Sequence, residues 1–262
     1  MYFSEEISKN FAELEQNEKN FKVARIVDRV ITQETQNQKK IYSAELGGGA
    51  HPDRYHDFFK KLIENDGHID WVDISPYMLE LAKKYISTEE YKDREKVITF
   101  IKKDVVEYLE DLKDETLDVA IMKYTIDHIE DLDELFRLLS LKLKNNGKLI
   151  STIGNTSPEL KSYSTNARFL FNGEQFPDDE TRMLKDGDTF TVKFFKVSGD
   201  PNGGYLDGAE TTKFFHSTEK TKDLARKHGF EIFLGDWKEY LPEEKQEGET
   251  LDQDILVLRK NS

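Results

Sequence analysis

The sequence predicts an α/β fold, a Rossmann-like, mostly parallel sheet of seven strands with helices on both faces. Three observations predict it. Short apolar runs alternate with helical patterns from residue 41 to residue 153, which is typical of parallel strands joined by crossover helices. A turn of three glycines, residues 47–49, separates the first strand from the first helix. The second strand ends in Asp73, 24 residues after Gly49, where a carboxylate typically binds ribose hydroxyls.

The predicted elements follow in a regular order. Residues 1–40 are predicted as an N-terminal helical cap on the sheet, or as a lid over a cofactor mouth, because apolar residues recur there at helical spacing. The next five strands are predicted at residues 41–45, 68–73, 97–101, 117–122 and 148–153. Helices are predicted at residues 53–63, 76–85 and 132–143, the second of them capped by Ser75 with Pro76 at its first position.

The alternation stops at residues 154–216. Two strands, residues 189–197 and 211–216, are predicted there across a turn-rich segment. We therefore expect an antiparallel β insertion after strand five, on the side of the sheet where loops usually shape a ligand site. A helix after Ser217 and strands at residues 230–234 and 255–259 would complete one domain spanning residues 1–262.

Composition excludes several classes of protein. The 262 residues suffice for one large domain, and the net charge of −14 disfavours nucleic acid as a partner, because duplex binding needs a cationic face. The absence of cysteine excludes a thiolate nucleophile, a thiolate metal site and a disulfide framework. No other metal-binding cluster stands out. The first residues do not resemble a signal peptide and no apolar run reaches membrane-spanning length, so we expect a cytoplasmic protein without a membrane partner.

The glycine turn allows two interpretations of the cofactor. A dinucleotide fingerprint has a third glycine three residues after the second. Pro52 stands at that position, and it removes an amide that a pyrophosphate would need. A nicotinamide-dependent oxidoreductase is therefore an alternative with little support from the sequence.

The second interpretation rests on a resemblance that runs through residues 41–153. Residues 45–49 (ELGGG) resemble the first motif of class I S-adenosylmethionine-dependent methyltransferases, an acid followed by x-G-x-G. The acid-x-S-x-x-M-L-x-x-A pattern of residues 73–82 is similar to their second motif. Later segments resemble the third motif, the fourth strand with its loop, and the lead into strand five, namely residues 103–105, 118–129 and 143–150.

The resemblance implies that the chain binds S-adenosyl-L-methionine. The backbone of Gly47, Gly48 and Gly49 would hold the methionine part, and Glu45 would attract its ammonium group. Asp73 would accept hydrogen bonds from both ribose hydroxyls.

Further positions are implied around the adenine and the sulfonium. Ile74 would pack against the adenine, Asp104 would accept its amino group and the Val105 amide would face a ring nitrogen. A plain helix N-cap is the alternative for Asp104. Lys123 and Tyr124, at the end of strand four, would lie near the sulfonium.

The resemblance also implies the reaction, a direct displacement that moves the methyl group to the acceptor. His128, in the loop after strand four, is the candidate general base, and Tyr124 the second catalytic candidate. Structural roles are the alternative for His128, and they are favoured for His51, Tyr55 and His216. Several insertion residues are candidates for an acceptor pocket, with a small core of the insertion as the alternative: Tyr163, Arg168, Phe169, Phe171 and Phe176.

A small-molecule acceptor, methylated at oxygen or nitrogen, is the first expectation. Residues typical of amino-methylating nucleic-acid enzymes are absent after strand four, and the acidic charge disfavours RNA and DNA. The alternatives are a protein methyltransferase and a catalytically silent protein of the same fold that only binds the cofactor.

Overall fold

The computed structural model describes residues 9, 18–154, 157–197, 199–200, 202–241 and 253–261. Its strands are, in chain order, β1 (Tyr42–Leu46), β2 (His68–Asp73), β3 (Ile98–Lys102), β4 (Leu117–Met122), β5 (Leu143–Gly154), β6 (Glu159–Lys161), β7 (Ala167–Phe171), β8 (Thr181–Met183), β9 (Thr189–Phe195), β10 (Tyr205–Phe214), β11 (Phe230–Gly235) and β12 (Gln253–Lys260). Its helices are α1 (Glu18–Glu34), α2 (His56–Glu64), α3 (Pro76–Ile86), α4 (Val105–Asp111), α5 (Leu132–Lys142), α6 (Thr218–Lys227) and α7 (Trp237–Tyr240).

Seven strands form the main sheet in the order β11-β12-β5-β4-β1-β2-β3. Strand β12 runs antiparallel to both of its neighbours, and the remaining pairs are parallel. The sheet confirms the predicted α/β fold. Because the strand order reverses direction next to β1, the carboxyl ends of β1, β2 and β4 meet at the crevice where such sheets bind ligands.

Both faces of the sheet are covered by helices. Helices α1, α2 and α3 share one apolar cluster with the side chains of Trp71 and Ile121, and α4, α5 and α6 share the other with Val72 and Met122. Six apolar side chains of α1 are buried, which makes this helix part of the core: Val23, Ala24, Ile26, Val27, Val30 and Ile31. Of residues 1–40, for which a cap or a lid was predicted, residues 1–8 and 10–17 lie outside the described residues.

Helix α2 receives its N-terminal cap from helix α1. The residue before α2, Tyr55, makes no capping bond with its side chain. The carboxyl group of Asp28 accepts instead from the backbone N–H groups of Asp57 and Phe58, both at 2.9 Å. These amides belong to the first turn, whose N–H groups have no partner within the helix. Burial raises the pKa of Asp28.

Residues 157–215 contain the predicted antiparallel insertion. Strands β10, β9 and β7 form one sheet, and β6 pairs with β8. The insertion has an apolar cluster of its own, built from Leu160, Ala167, Phe176, Leu184, Phe190, Val192 and Phe215. The sequence prediction lacked β6, β7 and β8, and it placed the second insertion strand too late. Residue 201 of the predicted turn, residues 199–204, lies outside the described residues.

Elements of the main sheet and its helices also differ from the prediction. The first predicted helix divides into a 3₁₀ turn, Pro52–Arg54, and helix α2. Helix α4 was not predicted. Strand β5 begins at Leu143, before the Asn146-Gly147 pair, because residues 143 and 148 both pair with β4 across an irregular register. Among the described residues, none of the helices has the length and apolar character needed to cross a membrane.

Candidate functional site

The glycine turn is bonded to the end of strand β2. The backbone N–H groups of Gly47 and Gly48 both donate to the carbonyl oxygen of Val72, at 2.9 Å each. Gly47 and Gly49 have φ angles of +78° and +63°, which glycine adopts without steric cost. The turn is therefore held at the carboxyl end of β1 in a conformation that few other residues would accept.

Thr125, in the loop after β4, lies against the same turn. A Cβ atom on Gly47 would stand 2.3 Å from Thr125 Oγ1, so only glycine allows this approach. Thr125 Oγ1 itself lies 3.1 Å from the carbonyl oxygen of Lys123 and 3.4 Å from that of Gly47. The cofactor-side turn and the loop after β4 are thereby in direct contact.

Asp73 connects the glycine turn to the start of helix α3. Its Oδ2 accepts from the N–H of Gly49 at 2.9 Å, and its Oδ1 from the N–H of Ser75 at 2.8 Å. Ser75 in turn caps α3 by accepting from Met78 N. A carboxylate can accept more than two hydrogen bonds, and the side chain is half-buried. The predicted role toward a ribose is thus compatible with the geometry and stays a prediction.

A buried layer lies beneath the turn. The carboxyl group of Glu45 is fully buried, as are the side chains of Tyr55 and Trp71. Burial, and then the Glu45 carboxylate beside it, raise the pKa of Tyr55. Trp71 Nε1 donates to the carbonyl oxygen of Gly49 at 2.9 Å, a contact that the sequence analysis did not anticipate.

The end of β3 presents a capped helix. Asp104 Oδ1 accepts from Val106 N at 2.8 Å, so Asp104 is the N-cap of α4, the alternative role considered from the sequence. The N–H of Val105 is the first amide of that helix and has no partner within it. Ile74, at the end of β2, is half-buried. The adenine contacts of these three residues stay predictions.

Lys123 and Tyr124 follow β4 as predicted from the sequence. The Lys123 side chain is buried, and its Nζ lies 5.0 Å from the centre of the Tyr124 ring. Tyr124 has a φ of +61°, which is strained for a bulky residue. Its N–H donates to Thr152 Oγ1 at 2.9 Å, which helps to hold this conformation.

His128 joins the same loop to the insertion. Its Nδ1 lies 3.0 Å from the carbonyl oxygen of Thr212 and 3.2 Å from Thr211 Oγ1. Since a carbonyl oxygen can only accept, Nδ1 carries the proton and Nε2 has the lone pair of the neutral ring. Burial, and then the nearby Lys213 ammonium group, lower the pKa of His128 to about 4.

Asp127 makes a second connection between the loop and the insertion. Its Oδ2 forms an ion pair with Lys213 Nζ at 3.0 Å, and its carboxyl group accepts from Gly154 N at 3.2 to 3.3 Å. A Cβ atom on Gly154 would stand 2.8 Å from Asp127 Oδ2. The sequence analysis missed this residue, although an acid beside His128 after a predicted strand was a visible signal.

The lesser base candidates have structural partners. His51 Nδ1 lies 3.3 Å from Asp53 Oδ1, and its ring packs on Tyr85 with the centroids 4.6 Å apart. His216 Nε2 donates to the carbonyl oxygen of Ile129 at 2.9 Å. These contacts match the structural roles favoured from the sequence.

The insertion's candidate pocket residues are not gathered at one point. Phe176 belongs to the apolar cluster of the insertion, with Phe169 and Phe171 packed against it. Arg168 forms an ion pair with Asp178 and faces the ring of Tyr163 at 5.4 Å. The three phenylalanines thus match the alternative considered from the sequence, a small core of the insertion.

Comparison with known proteins gives matches to the sequence and to the fold. Residues 47–151 match the family model described as a methyltransferase domain. An S-adenosylmethionine-dependent methyltransferase from Clostridium acetobutylicum is 14% identical, with a TM-score of 0.56 over 97% of this chain and 99% of that one. A Listeria monocytogenes protein assigned to the same class is 14% identical, with a TM-score of 0.56 over 93% of this chain and 100% of that one.

A third structure is larger than this chain. Phosphoethanolamine N-methyltransferase 2 of Haemonchus contortus, in complex with S-adenosyl-L-methionine, is 14% identical with a TM-score of 0.51. The match covers 89% of this chain and 52% of that protein. At these identities the likeness concerns the fold alone. No curated protein sequence matches the chain.

Proposed function

We propose that the chain is a class I S-adenosylmethionine-dependent methyltransferase, as the family match and the fold support, and that it transfers a methyl group to an oxygen or nitrogen atom of a small-molecule acceptor. The observation that carries the proposal is the bond between Asp73 Oδ2 and Gly49 N. It joins the glycine turn of β1 to the acid of β2 at the edge of the sheet where a nucleoside cofactor binds.

The residues around the turn fit S-adenosylmethionine, which supplies a methyl group on a positively charged sulfur. Positions 47 and 48 have no room for a side chain, because Thr125 and Trp71 fill the space that a Cβ atom would take, and glycine lets the turn pack closely on both of them. The Asp73 carboxylate can accept further hydrogen bonds, which the ribose hydroxyls would donate. The buried Glu45 carboxyl group favours a cation at the turn, since attraction between opposite charges is strong where water is excluded.

The chain's own residues would act mainly by positioning. Holding acceptor and cofactor in line for displacement can contribute on the order of 7–11 kcal/mol in favourable cases. His128 is the group that would take a proton from the acceptor. The Nδ1 bond to Thr212 assigns the lone pair to Nε2. A pKa of about 4 keeps the ring neutral at pH 7, and it also makes the ring a weaker base than an unperturbed histidine. Tyr124, held at its strained φ, would orient the acceptor beside it.

The insertion lies beside the expected acceptor side, and we take this position to favour a small substrate. Strand β10 of the insertion contacts the loop after β4 through Thr211, Thr212 and Lys213. Turnover tells the alternatives apart: release of S-adenosylhomocysteine with small amines or hydroxyl compounds supports the proposal, and release only with polypeptide acceptors supports a protein methyltransferase. Cofactor binding without turnover on either class would indicate a silent binding protein.

Calorimetric titration with S-adenosylhomocysteine tests the cofactor site. We expect clear binding to the wild type and binding weakened at least about thirtyfold in Asp73→Ala, because charge-assisted hydrogen bonds to the ribose are lost. Asp236→Ala is the matched control, since Asp236 also accepts from a backbone N–H, that of Lys238, beside the opposite edge of the sheet. Wild-type protein that binds no S-adenosylhomocysteine would contradict the proposal.

A further inference from the structure

Trp71 supports the glycine turn from below. Its side chain is fully buried on β2, and its Nε1 donates to the carbonyl oxygen of Gly49 at 2.9 Å. A Cβ atom on Gly48 would stand 2.3 Å from Nε1, 2.4 Å from Cε2 and 2.8 Å from Cδ1 of the same indole. The five-membered ring thus contacts the turn at two successive residues.

We propose that Trp71 is a positioning residue for the cofactor, which it affects by fixing the peptide groups of Gly48 and Gly49. The inference rests on the proposed function, because it assumes that S-adenosylmethionine binds at this turn. Trp71 itself touches neither the methyl group nor the acceptor; it acts through the backbone above it.

The need for such a residue follows from the three glycines. Glycine has more backbone freedom than any other residue, so a turn of glycines alone would populate many conformations. Gly49 is held on both of its sides: its N–H donates to Asp73 Oδ2, and its carbonyl accepts from Trp71. The indole bond therefore fixes the residue that also orients the Asp73 carboxylate. A turn that is ordered before the cofactor arrives loses less entropy when it binds.

Loss of the indole N–H would release this arrangement. The Gly49 carbonyl would then lie above an apolar ring without its donor, and a buried unpaired acceptor is costly. The turn would relieve this cost by moving its carbonyl toward water, away from the conformation that suits the cofactor. Binding would weaken even though every residue that faces the ligand is unchanged.

The second tryptophan provides a matched control. Trp237 is also fully buried and belongs to the same apolar cluster as Trp71. Its Nε1 has no hydrogen-bond partner among the described residues. Trp71→Phe and Trp237→Phe therefore each remove one indole from one core, and only the first removes a bond to the glycine turn.

Titration of both variants with S-adenosylhomocysteine tests the inference. We expect Kd to rise about tenfold or more in Trp71→Phe and to change less than about twofold in Trp237→Phe. In turnover, the KM for S-adenosylmethionine should rise in Trp71→Phe while kcat changes little, because the reacting atoms are not touched. A loss of stability alone, at a temperature where both variants are folded, would not raise the KM of Trp71→Phe while leaving its kcat nearly unchanged.

The indole N–H signals give a direct readout of the contact. With ¹⁵N-labelled tryptophan the wild type shows two such signals, which the two variants assign. We expect the Trp71 signal to shift when S-adenosylhomocysteine is added and the Trp237 signal to stay in place.

A second variant covers the case in which Trp71→Phe does not fold. Gly48→Ala places its Cβ against the indole and should weaken binding in the wild-type background. The double variant Gly48→Ala/Trp71→Phe gives a further comparison where it folds. In that background the alanine should weaken the binding of S-adenosylhomocysteine less than it does in the wild-type background. The phenyl ring leaves more room for the new Cβ than the indole does, and two residues in contact have non-additive effects.

The outcomes separate this inference from the proposed function. If wild type and Trp237→Phe bind S-adenosylhomocysteine and Trp71→Phe binds it equally well, the positioning role is overturned and the proposed function stands. An unmoved Trp71 signal at saturation, or a Gly48→Ala variant with wild-type affinity, would also overturn it. If even the wild type does not bind, both are overturned together.

Discussion

The two halves of the ligand edge are held in different ways. In the cofactor half, the turn after β1 is bonded to β2 by Gly49–Asp73 and Trp71–Gly49, pairs 24 and 22 residues apart. In the acceptor half, the loop after β4 is bonded to the insertion by His128–Thr212 and Lys213–Asp127, pairs 84 and 86 residues apart. The first half is a local unit of one βαβ segment. The second depends on the insertion, and the two halves meet where Thr125 packs on Gly47.

The largest effect is expected in the cofactor half, from Gly47→Ala. The new Cβ would be strained by the left-handed backbone of this position, and it would stand only 2.3 Å from Thr125 Oγ1. Together these two effects should lower the free energy of unfolding by roughly 2–5 kcal/mol. Calorimetry should detect no binding of S-adenosylhomocysteine. Gly173→Ala is the control, since Gly173 has a φ of +81° with nothing within 4 Å and should cost only about 1–2 kcal/mol. Equal effects of the two substitutions would contradict the close approach of Thr125 to the turn.

The next effect concerns His128 and pH. Its pKa is about 4 in the folded protein and 6.5 when unperturbed, so between these values the unfolded chain binds a proton that the folded protein does not. The free energy of unfolding should therefore fall as pH decreases from 6.5 to 4, by about 3 kcal/mol from this group. Urea unfolding across this range should show a smaller fall in His128→Gln. The exposed His56 provides the control variant, His56→Gln, and an unchanged pH dependence in His128→Gln would refute the assignment.

A smaller effect is expected from the ion pair that connects the insertion to the loop. Lys213→Met leaves the buried Asp127 carboxyl group without its cation, which should cost about 1–3 kcal/mol. Turnover should fall while the Kd for S-adenosylhomocysteine stays within about twofold, because the bonds of Gly49 with Asp73 and Trp71 involve neither Lys213 nor Asp127. Lys193→Met is the matched control. It breaks the more exposed pair with Glu210 in the same sheet and should cost less than about 1 kcal/mol.

Cofactor affinity that falls as much as turnover in Lys213→Met would show that the two halves are coupled. Asp127→Asn combined with Lys213→Met should recover part of the lost stability, because no uncompensated charge then remains buried.

The smallest effect is expected at the first amide of α4. Val105→Pro removes the N–H that we assign to an adenine nitrogen, together with the valine side chain. The backbone tolerates it, since proline suits the first helical position and Asp104 has the extended ψ of 152° that precedes proline well. Its affinity for S-adenosylhomocysteine should be about tenfold below that of Val105→Ala, which loses the side chain and keeps the amide. Equal affinities of the two variants would remove this contact from the site.

The sequence predicts the cofactor half better than the acceptor half for a physical reason. Strands β2 and β4 were predicted with the bounds that they have, because their apolar residues lie between clear turn signals. Strands β6 and β8 have three residues each, and β8 is wholly exposed, so neither produces a periodic pattern. Helix α4 has only seven residues, and its Asp104 cap was recognised without the helix that it begins.

The site shows the same division. Spacing along the chain brought Gly49 and Asp73 together correctly at one edge. The insertion partners of Asp127 and His128 could not be predicted. They lie on β10, more than 80 residues away in the sequence, and spacing along the chain does not show which residues of an insertion will contact the main sheet. Trp71 was missed for another reason. A tryptophan inside a strand indicates core packing, and nothing in the sequence reveals which carbonyl its N–H will meet.

Asp28 has a consequence for the capacity of helix α2 to bind an anion at its first turn. The first N–H groups of a helix after a glycine turn attract phosphate in many nucleotide-binding proteins. In helix α2 two of them are already bonded to the oxygens of Asp28, and a phosphate would have to displace a buried acidic group from its own protein. The first turn of α2 thus has two of its amide groups satisfied within the protein, and these two groups are not available to an anion.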